Sequence, residues 1–145
     1  MLLTLGVSHV MPRTVLVLRY TLFAAIATVA NICAQIVTYE IAPLAKLTVS
    51  LVAGTAVGFL IKYVLDKHWI FFDKPASYWA EARKITLYGL FGIAMTFVFW
   101  GTELAFLAFW QTDAAKYSGA VLGLAIGYTA KYLLDRRFVF SAESR

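Results

Sequence analysis

Charge is scarce in this chain. Of 145 residues, 14% are Asp, Glu, Lys or Arg, against about 25% in an ordinary soluble domain, and so low a share excludes a well-solvated globular enzyme. Cysteine is nearly absent: Cys33 is the single one and lies inside an apolar stretch, so no intramolecular disulfide can form and the redox compartment is unreadable. The two histidines, His9 and His68, lie far apart. No nucleophile-base-acid set, phosphate loop or metal-ligand cluster occurs, so neither catalysis, a metal nor another cofactor is expected. What is abundant is apolar: 61% of residues are hydrophobic and the mean hydropathy is +0.75, which places the chain in a membrane. Four bilayer crossings take about 20 residues each, leaving too little chain for a soluble domain with its own core.

Apolar runs extend over about 15 to 40, 44 to 66, 85 to 110 and 117 to 135. Each is long enough, at about 1.5 Å per residue, to cross the hydrocarbon as a helix, and helices satisfy their backbone polar groups internally where open strands cannot. Pro43 sits where the second helix should begin, at a first-turn position that tolerates a missing N–H, and Pro75 falls in the middle connection. The opening Met1-Leu2-Leu3 has no basic n-region, which argues against a signal peptide. Met11-Pro12-Arg13 reads equally well as a start, so residues 1–12 are treated as a leader outside the fold.

The formal charge of +5 would raise the question of nucleic acid in a soluble protein, but here it follows the positive-inside rule. Eleven of the 13 Lys and Arg lie at the N-terminus, the middle connection or the C-terminus, leaving Lys46 and Lys116 on the other side; the acids divide as five (Asp66, Asp73, Glu81, Asp135, Glu143) against three (Glu40, Glu103, Asp113). Both termini are therefore expected in the cytoplasm. The run from Lys67-His68-Trp69 to Tyr78-Trp79 interleaves cations and rings, as suits a headgroup layer, and no nucleic-acid partner is expected.

The chain contains a duplication. Residues 51 to 71 laid over 120 to 140 match Val52 to Val121, Gly54 to Gly123, Gly58 to Gly127, Lys62 to Lys131, Tyr63 to Tyr132, Asp66 to Asp135 and Phe71 to Phe140. More faintly, Arg19-Tyr20-Thr21-Leu22-Phe23 lies over Lys84-Ile85-Thr86-Leu87-Tyr88, with an offset shorter by four. The expected fold is an all-α integral membrane protein, a single membrane domain of four transmembrane helices built from two parallel two-helix repeats, about 14–72 and 78–141. Parallel repeats of this kind occur in transporters, with sites at the repeat interface. Small residues recur every fourth position, as Ser50, Gly54, Gly58 and Gly119, Gly123, Gly127. Such rows let helix backbones approach closely, within the chain or across a homodimer seam.

Each copy ends alike, in Lys62-Tyr63 followed by Asp66-Lys67 and in Lys131-Tyr132 followed by Asp135-Arg136. The first lysine lies about 7 Å deeper in the membrane than the second cation, so it must snorkel or find an anionic partner. Asp66 and Asp135 stand at helix C-termini, where the macrodipole disfavours a carboxylate, and their i, i+4 lysines are the obvious partners. With Arg19 and Lys84 at similar depth, cations still outnumber acids. The surplus suits an anion such as a phosphodiester, with Tyr63 and Tyr132 against a sugar or acyl chain. Thr28, Asn31, Gln35 and Thr38 form a polar stripe along the first helix, either bonded between helices or lining a groove for a head group. Glu103 should lie near the outer interface, paired with Lys46 or Lys116.

With these residues in view, the sequence resembles the GtrA-like family, small bacterial four-helix membrane proteins linked to glycosylation of the cell envelope. The resemblance covers Arg19 to Phe140 and rests on the basic-aromatic entries Arg19-Tyr20 and Lys84-Ile85, on Asn31, and on the doubled closing motif. In many members that motif reads Asn-Phe-x-x-Asn-Arg-x-Trp-x-Phe; here Lys replaces its first Asn and Asp its second, in both copies. The resemblance implies a non-enzymatic flippase in the bacterial inner membrane. It would carry a polyprenyl-phosphate-linked monosaccharide from the cytoplasmic to the outer leaflet, for a membrane glycosyltransferase that modifies an envelope polysaccharide. Its substrate contacts would come from Arg19, Asn31, Gln35, Lys62, Tyr63, Asp66, Lys67, Lys84, Lys131, Tyr132, Asp135 and Arg136. Two other readings fit four short helices: an accessory scaffold subunit of a glycosyltransferase, and a small multidrug-type exporter. The exporter needs a carboxylate within the first helix, where Glu40 stands only at the far end.

Overall fold

The computed structural model describes residues 11–74 and 77–140, so the leader assigned to 1–12 falls mostly outside the described residues, as does Pro75. Four α-helices form: α1 (Arg13–Ile41), α2 (Lys46–Trp69), α3 (Tyr78–Trp110) and α4 (Asp113–Leu134), the last running into a π-helical turn, Asp135–Val139. The first three are long and apolar enough to cross a membrane. The 22 residues of α4 still reach about 33 Å, but its glycines, tyrosines and lysines make it less apolar than the others. The fold is all-α and of membrane type.

Local chemistry sets the ends. Ser77 caps α3 by accepting the Ala80 amide at 3.4 Å, with Glu81 in the first turn, and Thr112 caps α4 by accepting the Ala115 amide at 3.1 Å. Both are N-caps that satisfy a free amide and favour the dipole. The Ser77 cap starts α3 seven residues before the apolar run does, because the polar and aromatic segment Tyr78–Lys84 is helical without being apolar. Pro43 is not in the first turn of α2, as expected, but in the preceding bend. The chain reverses there through Ala45, in the left-handed region at φ 48°, and α2 begins only after it. Gln111 does the same after α3 at φ 52°.

The chain divides into two compact units, Met1–Phe72 and Asp73–Arg145, and each is a hairpin of two packed helices. Within the first, α1 lies against α2 at Gly54 and Gly58; a Cβ on Gly54 would stand 2.7 Å from the Asn31 carbonyl oxygen, and one on Gly58 3.0 Å from that of Ala27. In the second, α3 lies against α4 at Gly119 and Gly123, whose Cβ atoms would stand 3.0 Å from the carbonyl oxygens of Thr102 and Phe99. Glycine is required where backbone meets backbone so closely. Ser50, Gly54, Gly58, Gly119, Gly123 and Gly127 are all buried within their own hairpins, so the small-residue row is used inside the chain. Most of the large apolar side chains point outward, Leu18, Ile36, Leu60, Phe97 and Val121 among them, as a lipid-facing surface requires.

Replacing Gly54 by Ala pushes a methyl group into the backbone of Asn31, which cannot swing aside. Gly54→Ala should therefore destabilise the protein by about 1–3 kcal/mol in an SDS titration from mixed micelles. Gly101, with nothing within 4 Å of its Cβ position, should accept alanine with a gain of up to about 1 kcal/mol. Equal behaviour of the two variants would refute the packing described here.

Candidate functional site

The closing motif folds the same way in both units. Lys62 Nζ meets Asp66 Oδ2 at 2.5 Å, and Lys131 Nζ meets Asp135 Oδ2 at 2.5 Å. The helical i, i+4 spacing brings each pair together on one face. Both aspartate side chains are fully buried, while the lysine side chains keep 14% and 12% exposure, so each lysine is largely but not wholly covered. Above each ammonium lies an aromatic face from the neighbouring helix: Tyr20 with its centroid 3.7 Å from Lys62, and Tyr88 at 3.3 Å from Lys131. Such cation-π contacts strengthen as water is excluded. The helix then closes with a wide turn in both copies, Phe71 N–H donating to the Asp66 carbonyl and Phe140 N–H to that of Asp135, each at 2.9 Å. These i to i+5 bonds belong to the π-type turn that often accompanies functional sites.

Sequence alignment of the first helices on their charges hides Tyr20 and Tyr88, because the true register of the repeats differs from it. Matching the charges Arg19 and Lys84 gives an offset of 65. The contacts give 68: Tyr20 corresponds to Tyr88 over the lysines, and the ring pair Phe23–Trp69 at 6.4 Å corresponds to Phe91–Phe138 at 6.1 Å. The carbonyls of Asn31 and Phe99 likewise meet Gly54 and Gly123. In this register Tyr20-x-Leu22-Phe23 and Thr28 recur as Tyr88-x-Leu90-Phe91 and Thr96, and that was the signal available. Thr28 and Thr96 behave alike, each donating to the carbonyl four residues back, at 2.8 and 3.0 Å.

The remaining predicted residues fall into different settings. Arg19 Nη1 donates to the Trp69 carbonyl at 2.9 Å, tying α1 to the end of α2. Lys84 Nζ donates to Asp73 Oδ2 at 2.7 Å, with 6% and 2% of the two side chains exposed. It clasps the connecting segment to α3 rather than joining Lys131. Lys67 and Tyr63 are buried, whereas their counterparts differ, Arg136 being exposed and Tyr132 half-buried. Gln35 Nε2 donates to Asn31 Oδ1 at 2.6 Å, and both side chains lie against Gly54. Thr28 is exposed and satisfied on its own helix, so the polar stripe divides: Asn31 and Gln35 face α2, and Thr28 does not. Glu103 meets Lys116 at 3.8 Å, while Lys46 lies 5.6 Å from the Tyr39 ring. Glu40 is exposed at the end of α1, an unsuitable place for the embedded carboxylate of an exporter.

Chemically, each cluster holds an ammonium at the membrane edge without leaving its charge unbalanced. Removing one partner leaves a buried ion alone, which costs about 3–5 kcal/mol. Lys131→Met should lose about that much stability in the SDS titration, whereas Lys131→Met combined with Asp135→Leu should recover most of it. A double variant no better than the single one would show that the ion pair is not what the carboxylate depends on.

No curated protein and no solved structure matches the chain. The family model GtrA/DPMS, transmembrane domain, matches residues 19–140, from the arginine that ties α1 to α2 through the last ring of the second closing motif. The protein is a member of the GtrA/DPMS transmembrane-domain family.

Proposed function

We propose that the protein is a flippase that carries a polyprenyl-phosphate-linked monosaccharide from the cytoplasmic to the outer leaflet of the bacterial inner membrane, for use by a membrane glycosyltransferase. Membership of the family supports a role with polyprenyl-phosphate sugars. The observation that carries the finer reading is the doubled cluster of lysine, aspartate and tyrosine, in which a lysine side chain keeps 12–14% exposure over a fully buried carboxylate.

A lysine so held can exchange part of its contact with aspartate for a phosphodiester, because both anions take the same N–H donors. The aspartate limits how tightly the lipid binds, which lets it leave again. Arg19, at the same end of α1, and Arg136, exposed beside the second pair, supply the positive charge that the neutral pairs lack. With the basic ends in the cytoplasm, the side the charge distribution favours, capture takes place where the lipid-linked sugar is made. Nothing in the chain binds a nucleotide triphosphate by a recognisable motif, so movement runs down the gradient that consumption outside maintains. The protein forms and breaks no covalent bond in this reading.

The test is translocation in proteoliposomes, followed as loss of reductant access to a fluorescent polyprenyl-phosphate sugar. Wild-type protein should accelerate flipping, and the double variant Lys62→Ala, Lys131→Ala should return it to the rate of protein-free vesicles. Asp66→Asn with Asp135→Asn, by leaving the lysines with a stronger hold on phosphate, should bind the lipid more tightly and release it more slowly. No acceleration by the wild-type protein alone would favour the accessory-scaffold reading. Unchanged flipping in the lysine double variant would remove the clusters from the mechanism.

A further inference from the structure

The two hairpins differ in where they open: the first has a recess beside Gln35, Tyr39, Glu40 and Ser50, away from its lysine. Between α3 and α4 a half-open cleft of about 250 Å³ runs along the helices, lined by Gly92, Met95, Phe99, Gly127, Tyr128 and, at its basic end, Lys131. Gly58, which corresponds to Gly127, lies 3.0 Å at its Cβ position from the Ala27 carbonyl and 2.9 Å from Asn31 Cβ; at Gly127 the nearest atom, the Met95 carbonyl oxygen, is 3.6 Å away. Thus α1 closes onto α2 where α3 stands off from α4.

The glycines themselves point to an occupant. A helix-interior glycine is less favourable than alanine by about 1 kcal/mol, and at positions 54, 58, 119 and 123 close backbone contact explains it. At Gly92 and Gly127 an added Cβ would meet only ordinary contacts, at 3.6 Å or more, so hairpin packing does not require glycine there. What the two glycines keep open is the cleft. A helix with its side chains is about 10–12 Å across and does not fit such a space, whereas one hydrocarbon chain does. The lining is largely apolar, its polar groups being the Thr96 hydroxyl, which donates to the Gly92 carbonyl, the Tyr128 hydroxyl and the Lys131 cation at one end, a match for an amphiphile with an anionic head and a long tail.

Resting on the transport reading above, we propose that the cleft seats the isoprenoid segment next to the phosphate, with the phosphate beside Lys131, and that the first hairpin has no equivalent seat. The recesses at Gly92 and Gly127 accommodate methyl branches, which distinguish an isoprenoid from a straight acyl chain. The duplicated halves then divide the work: both present a lysine, but only the second grips the tail.

Photolabelling of the full chain in liposomes tests this. The probe is undecaprenyl phosphate carrying a diazirine on the isoprene units nearest the phosphate, and phosphatidylglycerol with a diazirine-tagged acyl chain is the comparison. The isoprenoid probe should label α3 and α4 around residues 92–99 and 123–131 well above the phospholipid. Gly127→Leu should abolish that labelling while leaving the thermal midpoint near wild type. Should Gly127→Leu fold poorly, Gly92→Val serves instead, since its Cβ meets only Lys131 Cε at 3.6 Å. Thr55→Leu, in the first hairpin at the counterpart of the cleft residue Leu124, should leave labelling unchanged. Equal labelling of both hairpins, undiminished labelling in the filled-cleft variant, or equal labelling by phosphatidylglycerol would each overturn the seat. Labelling elsewhere with translocation intact rejects the seat alone; an unlabelled protein that also fails to accelerate flipping removes the transport reading with it.

Discussion

Hydrocarbon offers no water to a charge, so a lysine in a transmembrane helix must bring its own counter-ion or reach out of the bilayer. Lys62 and Lys131 do the former. Each sits one helical turn before a fully buried aspartate, and much of the geometry at the basic end follows. The carboxylate stands at a helix C-terminus, where the backbone dipole repels it, and the adjacent ammonium offsets that repulsion. A tyrosine from the neighbouring helix covers the ammonium, which fixes the rotation of α1 against α2 and of α3 against α4. The wide turns at Phe71 and Phe140 then carry the closing rings back over the cluster, where Phe140 meets Tyr88 at 6.3 Å.

The glycine row solves a separate problem. Two apolar helices in lipid gain little from hydrophobic burial and associate through close packing; here glycines let backbone carbonyls of the partner helix approach to about the contact limit. What fills the seam differs between the halves. In the first, Asn31 and Gln35 bond each other at 2.6 Å beside Gly54, which satisfies two amides that would otherwise be costly in lipid. In the second, the Phe99 backbone and Thr102 Cβ meet Gly123 and the Phe106 side chain meets Gly119. A duplicated chain has thus kept one electrostatic device in both copies while changing what fills the seam.

Much of this was legible in the sequence, because hydropathy needs no partner to be read. Helix number, the apolar spans and the local Lys–Asp pairing follow from run length and i, i+4 spacing. The start of α3 did not, because its first seven residues are polar and aromatic and only the Ser77 cap marks them. Pro43 misled because it suits either a first turn or a bend, and Ala45 decides the matter by a backbone angle that no residue preference announces. The register of the first helices failed for an instructive reason. Nearly uniform apolar helices carry no amphipathic period to align, so the cations were matched instead, and long cationic side chains at a membrane edge are free to take different partners. Arg19 reaches the Trp69 carbonyl and Lys84 reaches Asp73. Rings seated on fixed lysines cannot wander in this way, and Tyr20 and Tyr88 give the true correspondence.

The departure from the motif that many members of the family share bears on how an anion is handled. Two asparagines one turn apart would join by a neutral hydrogen bond; a lysine and an aspartate in the same places keep the contact and separate the charges. Each pair is neutral as a whole, so on the transport reading a phosphodiester gains from it by sharing the lysine, and its own negative charge must be met by another cation. The halves differ in what they can supply. Lys67 is buried beside the first pair, while Arg136 is exposed next to the second, where it can follow a head group out towards water. On that reading the exposed second cation and the wider helix separation fall in the same hairpin.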